Sequence, residues 1–265
     1  MKRYFLLFFS FVVISQYCLA QTINTDRPTQ SASAYVLPKG RLQWETGALI
    51  QKTNSNLNQY TYNNSLIRYG LSDIFEARLT INYEGFNLGL DGADLSDNGF
   101  SPVVVGFKSK IADENGFWPQ VSFVGQVALP SGDEGFNVES AIPSFRFSLL
   151  HNFSSTSSLG YNWGMEWQEG LPGSVNIYTI VYNQGFAGSF AWFLEFYGFI
   201  YGENENILGD PIDIADDHRA NSGFTYILND KVQFDLSAGV GFSDDLTNSS
   251  PDFFLSGGVS FAFIK

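Results

Sequence analysis

From Arg41 to the end of the chain, apolar and polar residues alternate in segment after segment, and loops rich in Gly, Asn and Asp separate them. In the clearest segment Phe75, Ala77, Leu79, Ile81 and Tyr83 interleave with Glu76, Arg78, Thr80, Asn82 and Glu84. A β-strand repeats every second residue, so such a segment presents one apolar and one charged face. The pattern predicts strands over 41–51, 60–71, 74–84, 101–111, 120–129, 140–152, 157–167, 174–183, 190–201, 217–228, 231–242 and 253–264. Their lengths are close to the roughly 9 to 11 residues that a tilted strand needs to cross a bilayer.

The connections fall into two kinds. Segments 72–73, 112–119, 153–156, 184–189 and 229–230 are short, whereas 85–100, 130–139, 202–216 and 243–252 are longer, polar and acidic. Those at 52–59 and 168–173 are modest and fall on the long-loop side. Transmembrane barrels have short periplasmic turns and longer outer loops. The expected fold is therefore all-β, a transmembrane antiparallel up-and-down β-barrel of about 12 strands with short periplasmic turns and longer acidic extracellular loops. A soluble sandwich also alternates, but it does not account for the sorted loops.

Charge decides which face meets lipid, since Arg or Lys at the bilayer midplane costs roughly 2 to 4 kcal/mol. Glu76, Arg78, Gln120, Ser122, Gln126, Arg146, Gln233 and Asp235 are thus expected inside. Val121, Phe123, Val127, Leu129, Phe145, Phe147, Leu149, Phe234, Leu236 and Val240 are expected outside. The strand at 174–183 is ambiguous: Val175, Ile177 and Val181 share one parity, and Tyr178, Ile180 and Tyr182 fill the other. Trp44, Tyr69, Tyr83, Tyr161 and Trp167 lie near strand ends, where aromatic girdles belong.

Ahead of the strands, Lys2 and Arg3, an apolar stretch from Tyr4 to Ile14 and Cys18-Leu19-Ala20 follow the order of a secretory signal peptide. Residues 1–20 are read as that signal, cleaved after Ala20. The apolar run is shorter than the roughly 20 residues of a membrane-spanning helix. Lipid attachment at Cys18 is the alternative, although Gln16 and Tyr17 are bulky for such a site. Cys18 is the only cysteine, so the mature chain has no thiol chemistry. The full chain carries a formal charge of -13; loss of Lys2 and Arg3 makes it more acidic still, which excludes nucleic acid as a partner. Residues 21–40 lack alternation and are read as a periplasmic lead-in or a plug in the lumen, with the barrel over 41–265.

Several short motifs occur in a recognisable order: Asp26-Arg27-Pro28; Pro38-Lys39-Gly40 through Glu45-Thr46-Gly47; Leu66-Ile67-Arg68-Tyr69-Gly70-Leu71; and Phe75-Glu76-Ala77-Arg78-Leu79. Further elements are Ser101-Pro102 to Lys110, Pro143-Ser144-Phe145-Arg146-Phe147, Gly223-Phe224-Thr225-Tyr226 and Pro251-Asp252-Phe253. Taken together, the chain resembles the outer-membrane transporter family labelled "MetA-pathway of phenol degradation". The resemblance covers essentially the whole mature chain and implies a Gram-negative outer-membrane barrel that acts as a transporter. It supplies no binding residue and no named substrate. One departure is the end of the chain: Phe261 and Phe263 are followed by Ile264 and Lys265, where such barrels often finish on an aromatic residue read by the barrel-assembly machinery.

The candidate lumen residues are Glu45, Arg68, Glu76, Arg78, Lys108, Arg146, Glu166, Glu195, Arg219 and Asp235, with Asp26 and Arg27 on the candidate plug. They admit two readings: a selective path lined by both signs of charge, or ion pairs that fill a narrow barrel and hold it round. With both Arg68 and Glu76 inward, the hairpin of strands 60–71 and 74–84 is expected to pair Gly70 with Ile74 and to set Arg68 opposite Glu76. Asp91, Asp94, Asp97, Asp133, Glu134, Asp213, Asp216, Asp217, Asp244 and Asp245 make the loops acidic, but their spacing matches no calcium loop.

His151 and His218 are the only histidines, which excludes a His-rich metal site. A lipid-facing hydrolase would need His218 with Ser222 or Ser243, and no hydrolase motif surrounds either serine. No cofactor or metal is expected. The chain reads as an outer-membrane channel or transporter for passive diffusion of small solutes through a narrow lumen of mixed charge. The alternative is a structural or surface-interaction barrel with a closed lumen, and the remote one is the hydrolase. Expected partners are outer-membrane lipid, the barrel-assembly machinery through the last strand, and a small solute.

Overall fold

The computed structural model describes residues 23–53, 56–90, 93–170, 173–186, 188–201, 204–205, 211–212, 216–242 and 250–263. The expected signal peptide and its cleavage site, Cys18, Asp91, Asp213, Ser243, Asp244, Asp245, Ile264 and Lys265 lie outside these residues.

The wall consists of β1 (Leu42–Thr53), β2 (Leu57–Ser72), β3 (Phe75–Leu90), β4 (Val104–Ala112), β5 (Gln120–Ala128) and β6 (Ile142–Asn152), followed by β7 (Ser157–Trp167), β8 (Ser174–Phe186), β9 (Phe190–Tyr201), β10 (Asp217–Asn229), β11 (Val232–Gly241) and β12 (Phe253–Phe263). Every strand is antiparallel to its neighbours, and β1 pairs with β12, so the sheet closes on itself. Closure satisfies every ladder N–H and C=O within the protein, as hydrocarbon demands. Tight turns at Asp73-Ile74 and Asp230-Lys231 mark the periplasmic end.

The exterior is apolar where the alternation assigns it: Leu236 is 65% exposed and Phe224 58%, while Gln233 and Asp235 beside Leu236 are buried. A continuous coat of exposed Phe, Leu, Ile and Val around a closed sheet is a lipid-facing surface. In β8, where parity is ambiguous, Val175, Ile177 and Val181 point inward and Ile180 outward. Period two shows which residues share a face, not which face is inside. The register fixes it, because Val181 stands opposite the inward Glu195. One side of the interior is therefore apolar, built from these β8 residues with Phe193, Tyr197 and Phe254.

Two expectations are corrected. Segment 85–100 is not an irregular loop: β2 and β3 run on past the wall, and Ala93–Phe100 folds back to pair with Tyr83–Leu90. Beyond the lipid a strand needs no apolar face, so Asp- and Gly-rich sequence pairs through its backbone alone. In the hairpin of β2 and β3, Arg68 stands opposite Arg78 and Gly70 opposite Glu76, with a bulge between Gly70 and Ser72. The register thus lies two residues from the expected one. A shift of two preserves facing, so Arg68, Glu76 and Arg78 all remain inside.

Candidate functional site

Residues 23–40 run inside the barrel as an irregular segment. Lacking helix or ladder partners of its own, its backbone must find hydrogen bonds elsewhere. The charged lumen residues provide them. Glu45 accepts the N–H groups of Asp26 (2.9 Å) and Arg27 (3.0 Å). Glu195 accepts those of Gln30 (3.0 Å) and Ser31 (2.8 Å), and Glu76 accepts that of Leu37 (2.8 Å). In the opposite sense, Lys108 donates to the Ser33 carbonyl (2.7 Å), Arg68 to that of Asn24 (3.0 Å) and Arg146 to that of Gln30 (2.9 Å). The carboxylates hold the donors of the segment and the cations hold its acceptors.

Side chains of the segment enter the same network. Asp26 pairs with Arg78 (2.7 Å) and Lys108 (3.1 Å). Behind it, Arg68 bridges Glu45 and Glu76 at 2.9 Å each, and Arg78 also reaches Glu76. Arg68, Lys108, Glu45 and Glu76 have no solvent exposure at all. On the wall alone, Arg68, Arg78 and Lys108 face only Glu45 and Glu76; Asp26 brings the cluster to neutrality. Buried charge is tolerated when it is paired and hydrogen-bonded. Asp26 sits on the segment and not on a spanning strand. Burial pushes its carboxyl up, but Lys108, Arg68 and Arg78 outweigh this and hold it well below the ordinary value.

Arg27 takes the other direction, pairing with Asp235 (2.8 Å) and donating to Ser256 (3.1 Å). Its guanidinium lies over Gly47 and Gly258, which stand opposite each other in β1 and β12; a Cβ on either would collide with it. Among the described residues, every wall strand except β10 hydrogen-bonds to the segment through a side chain. Below it, toward the periplasm, is a cavity of about 250 Å³ lined by Tyr35, Leu150 and Val181. Above it lie one of about 190 Å³, with Tyr197 and Phe254 in its wall, and one of about 230 Å³, with Thr80, Gln126 and Arg146.

Of the candidate lumen residues, Glu45, Arg68, Glu76, Arg78, Lys108, Arg146, Glu195 and Asp235 converge on the segment. Glu166 and Arg219 lie further out: Glu166 accepts from Gln168 (3.1 Å), and Arg219 donates to Asp217 and to Gln51 (2.9 Å) with its guanidinium near the Tyr197 and Phe199 rings. Asp217, read from sequence as a loop carboxylate, is buried against Arg219.

Gln43, Asn162, Thr179 and Ser256 also hold the segment, by bonds to Asn24, Ala32, Ser31 and Arg27. Their sequence signal is parity alone: each stands on the lumen face of its strand without a charge to mark it. The hydrolase constellation is not assembled between His218 and Ser222. His218 bonds the Tyr178 hydroxyl (2.9 Å), and the Ser222 hydroxyl donates to the Phe193 carbonyl (2.8 Å). Four residues of strand, roughly 13 Å, separate them.

The profile of a family described as "Putative MetA-pathway of phenol degradation" matches residues 25–263. Among solved structures, the fold is similar to an outer membrane channel from Pseudomonas putida F1, with a TM-score of 0.71, 12% identity, and coverage of 89% of this chain and 100% of that one. It is also similar to the KdgM porin (TM-score 0.52, 9% identity, 84% and 99% covered). The translocator domain of the autotransporter NalP from Neisseria meningitidis gives a TM-score of 0.52 at 9% identity, with 86% and 90% covered. At such identities the likeness is one of fold. Among curated proteins, none matches the chain.

Proposed function

We propose, since this chain belongs to the MetA-pathway of phenol degradation family, that it is an outer-membrane channel for passive diffusion of small solutes, closed at rest by its own residues 23–40. The observation that carries this reading is the pairing of an irregular inner segment with wall charges that would otherwise face an empty lumen. A barrel filled for structure alone could use apolar side chains. Here the filling is covalently tethered at the periplasmic rim, where the Gly40 N–H donates to the Gly70 carbonyl (2.7 Å), and is held elsewhere by polar contacts that water can replace and by the buried side chains of Ile23, Ala34 and Leu37. When the segment leaves, it uncovers the charged and polar side of the wall, which hydrates as a pore facing the apolar side built from β8, Phe193, Tyr197 and Phe254. The chemistry of the interior is that of a conduit and not of a catalyst.

A reversible lock tests the reading. The Ser31 and Thr179 hydroxyls lie 2.6 Å apart, and the signal-sequence Cys18 is the only cysteine, so the double variant Ser31→Cys/Thr179→Cys would tether the segment to β8 on oxidation. In planar bilayers the oxidised protein should be silent and the reduced protein should conduct in bursts. Equal conductance in both states would refute the closure, and silence in both would favour a structural barrel whose lumen never opens.

A further inference from the structure

Among the described residues, each lumen-facing cation but one is in direct ion-pair contact with a carboxylate: Arg27 with Asp235, Arg68 with Glu45 and Glu76, Arg78 with Glu76 and Asp26, Lys108 with Asp26, and Arg219 with Asp217. The exception is Arg146. Among the described residues its guanidinium makes one hydrogen bond, to the Gln30 carbonyl at 2.9 Å, and no ion pair. Glu166, on the neighbouring strand, is turned to Gln168. Arg146 lines the cavity of about 230 Å³ immediately outside the plug, whose wall also offers Thr80, Gln126, Leu66 and Val124. The peptide whose carbonyl Arg146 holds gives its N–H, that of Ser31, to Glu195 (2.8 Å).

We infer that Arg146 is the solute-binding residue of the outer chamber and that its ligand is a small organic monocarboxylate. The assignment rests on the channel reading above only for the word solute; the binding itself does not. A guanidinium bonded to one neutral carbonyl keeps donors to spare, and a carboxylate accepts two of them side by side. The chamber wall also carries Asp26 and Glu45, so a ligand with one negative charge is tolerated beside Arg146 better than a phosphate dianion, which adds twice the like-charge repulsion. Leu66 and Val124 give a short hydrocarbon tail an apolar seat. A carboxylate that straddles Nη1 and Nη2 competes with the Gln30 carbonyl for Nη1, so in that pose occupancy and plug release favour each other, and the coupling is reciprocal.

Butyrate is the probe, with butyramide as its neutral counterpart and inorganic phosphate as the dianion. Calorimetry on the full detergent-solubilised protein should show butyrate bound in preference to both, and Arg146→Gln should weaken it about 30-fold, the worth of one charge-assisted contact. Arg146→Lys, which keeps the charge and loses the fork, should fall between them, and it carries the test should the glutamine variant fail to show the heat-modifiable migration of a folded barrel. The oxidised Ser31→Cys/Thr179→Cys protein should bind butyrate more weakly than its reduced form. Equal binding of butyrate and butyramide, or wild-type affinity in Arg146→Gln, overturns the assignment, and equal affinity in the two redox forms overturns the coupling. Absence of conductance with intact, Arg146-dependent binding would overturn the channel reading alone.

Discussion

Asp26→Asn removes one charge from the plug and none from the wall. In the closed state Arg68, Arg78 and Lys108 then face Glu45 and Glu76 alone, with one positive charge left over in a region where Arg68 and Lys108 have no solvent exposure. Breaking a buried pair costs about 3 to 5 kcal/mol. The asparagine still accepts from the Ser33 N–H, as Asp26 does at 2.8 Å, so the lower figure applies. In the open state the wall cluster is the same in both proteins and is hydrated, and residue 26 is in water. The loss therefore falls on closure. About 3 kcal/mol shifts the equilibrium roughly 100-fold toward open at 1.4 kcal/mol per decade.

The assay is single-channel recording in planar bilayers, comparing open probability between the variant and wild type. Maleimide labelling of a Ser31→Cys background, at a position buried in the closed barrel, gives a second reading of the same equilibrium. An open probability within about threefold of wild type, about 0.7 kcal/mol, would refute the claim that charge neutrality holds the segment.

Arg27→Ala and Asp235→Asn should each raise open probability, and the double variant should fall short of their sum by about 1 to 3 kcal/mol, because both break one pair; additive effects would exclude the contact. For pH, the depressed value of Asp26 sets the sign. Its contribution to closure is complete above the ordinary aspartate value, about 3.9, and is lost only as pH falls through the lower folded value. The Asp26 contribution, measured as the difference in open probability between wild type and Asp26→Asn, should thus be constant from neutrality to mild acid. Leu236→Arg, on the lipid face, should cost the barrel about 2 to 4 kcal/mol near the bilayer midplane in urea unfolding from vesicles, with no loss if Leu236 faced the lumen.

The wall was legible because lipid imposes a strict rule. A charge such as Arg146 between Phe145 and Phe147 fixes the facing of its whole strand, and the sorted loop lengths fix the count. Legibility failed where the rule relaxes. Outside the membrane, segment 85–100 has no face to declare, and its pairing with β3 follows from backbone geometry that composition hides. In β8 both faces are apolar, so only the neighbouring Glu195 chooses between them. The register at Gly70 depends on one bulged residue, which alternation cannot register because faces are conserved under a shift of two. The partners of Asp26 and Arg27 were beyond reach for another reason: contacts between residues 26 and 108, or 27 and 235, exist only once the barrel has closed.

The short motifs gain a common explanation from the same geometry. Asp26-Arg27-Pro28 belongs to the inner segment; Glu45 and Gly47, Arg68 and Gly70, and Glu76 and Arg78 surround that segment. Glu45 takes its backbone donors, Gly47 leaves room for the Arg27 guanidinium, and Gly70 lets the segment pass, since a Cβ there would strike the Pro38 carbonyl. These positions are scattered over the first strands in sequence yet serve one inner contact, and each is polar or small for a reason that a bare pore would not need. A wall designed only to conduct has no use for a glycine pair opposite one arginine, nor for carboxylates aimed at particular peptide N–H groups. What distinguishes this barrel from an open pore is written on its inner face as a set of sockets, and the segment that fits them belongs to the same chain.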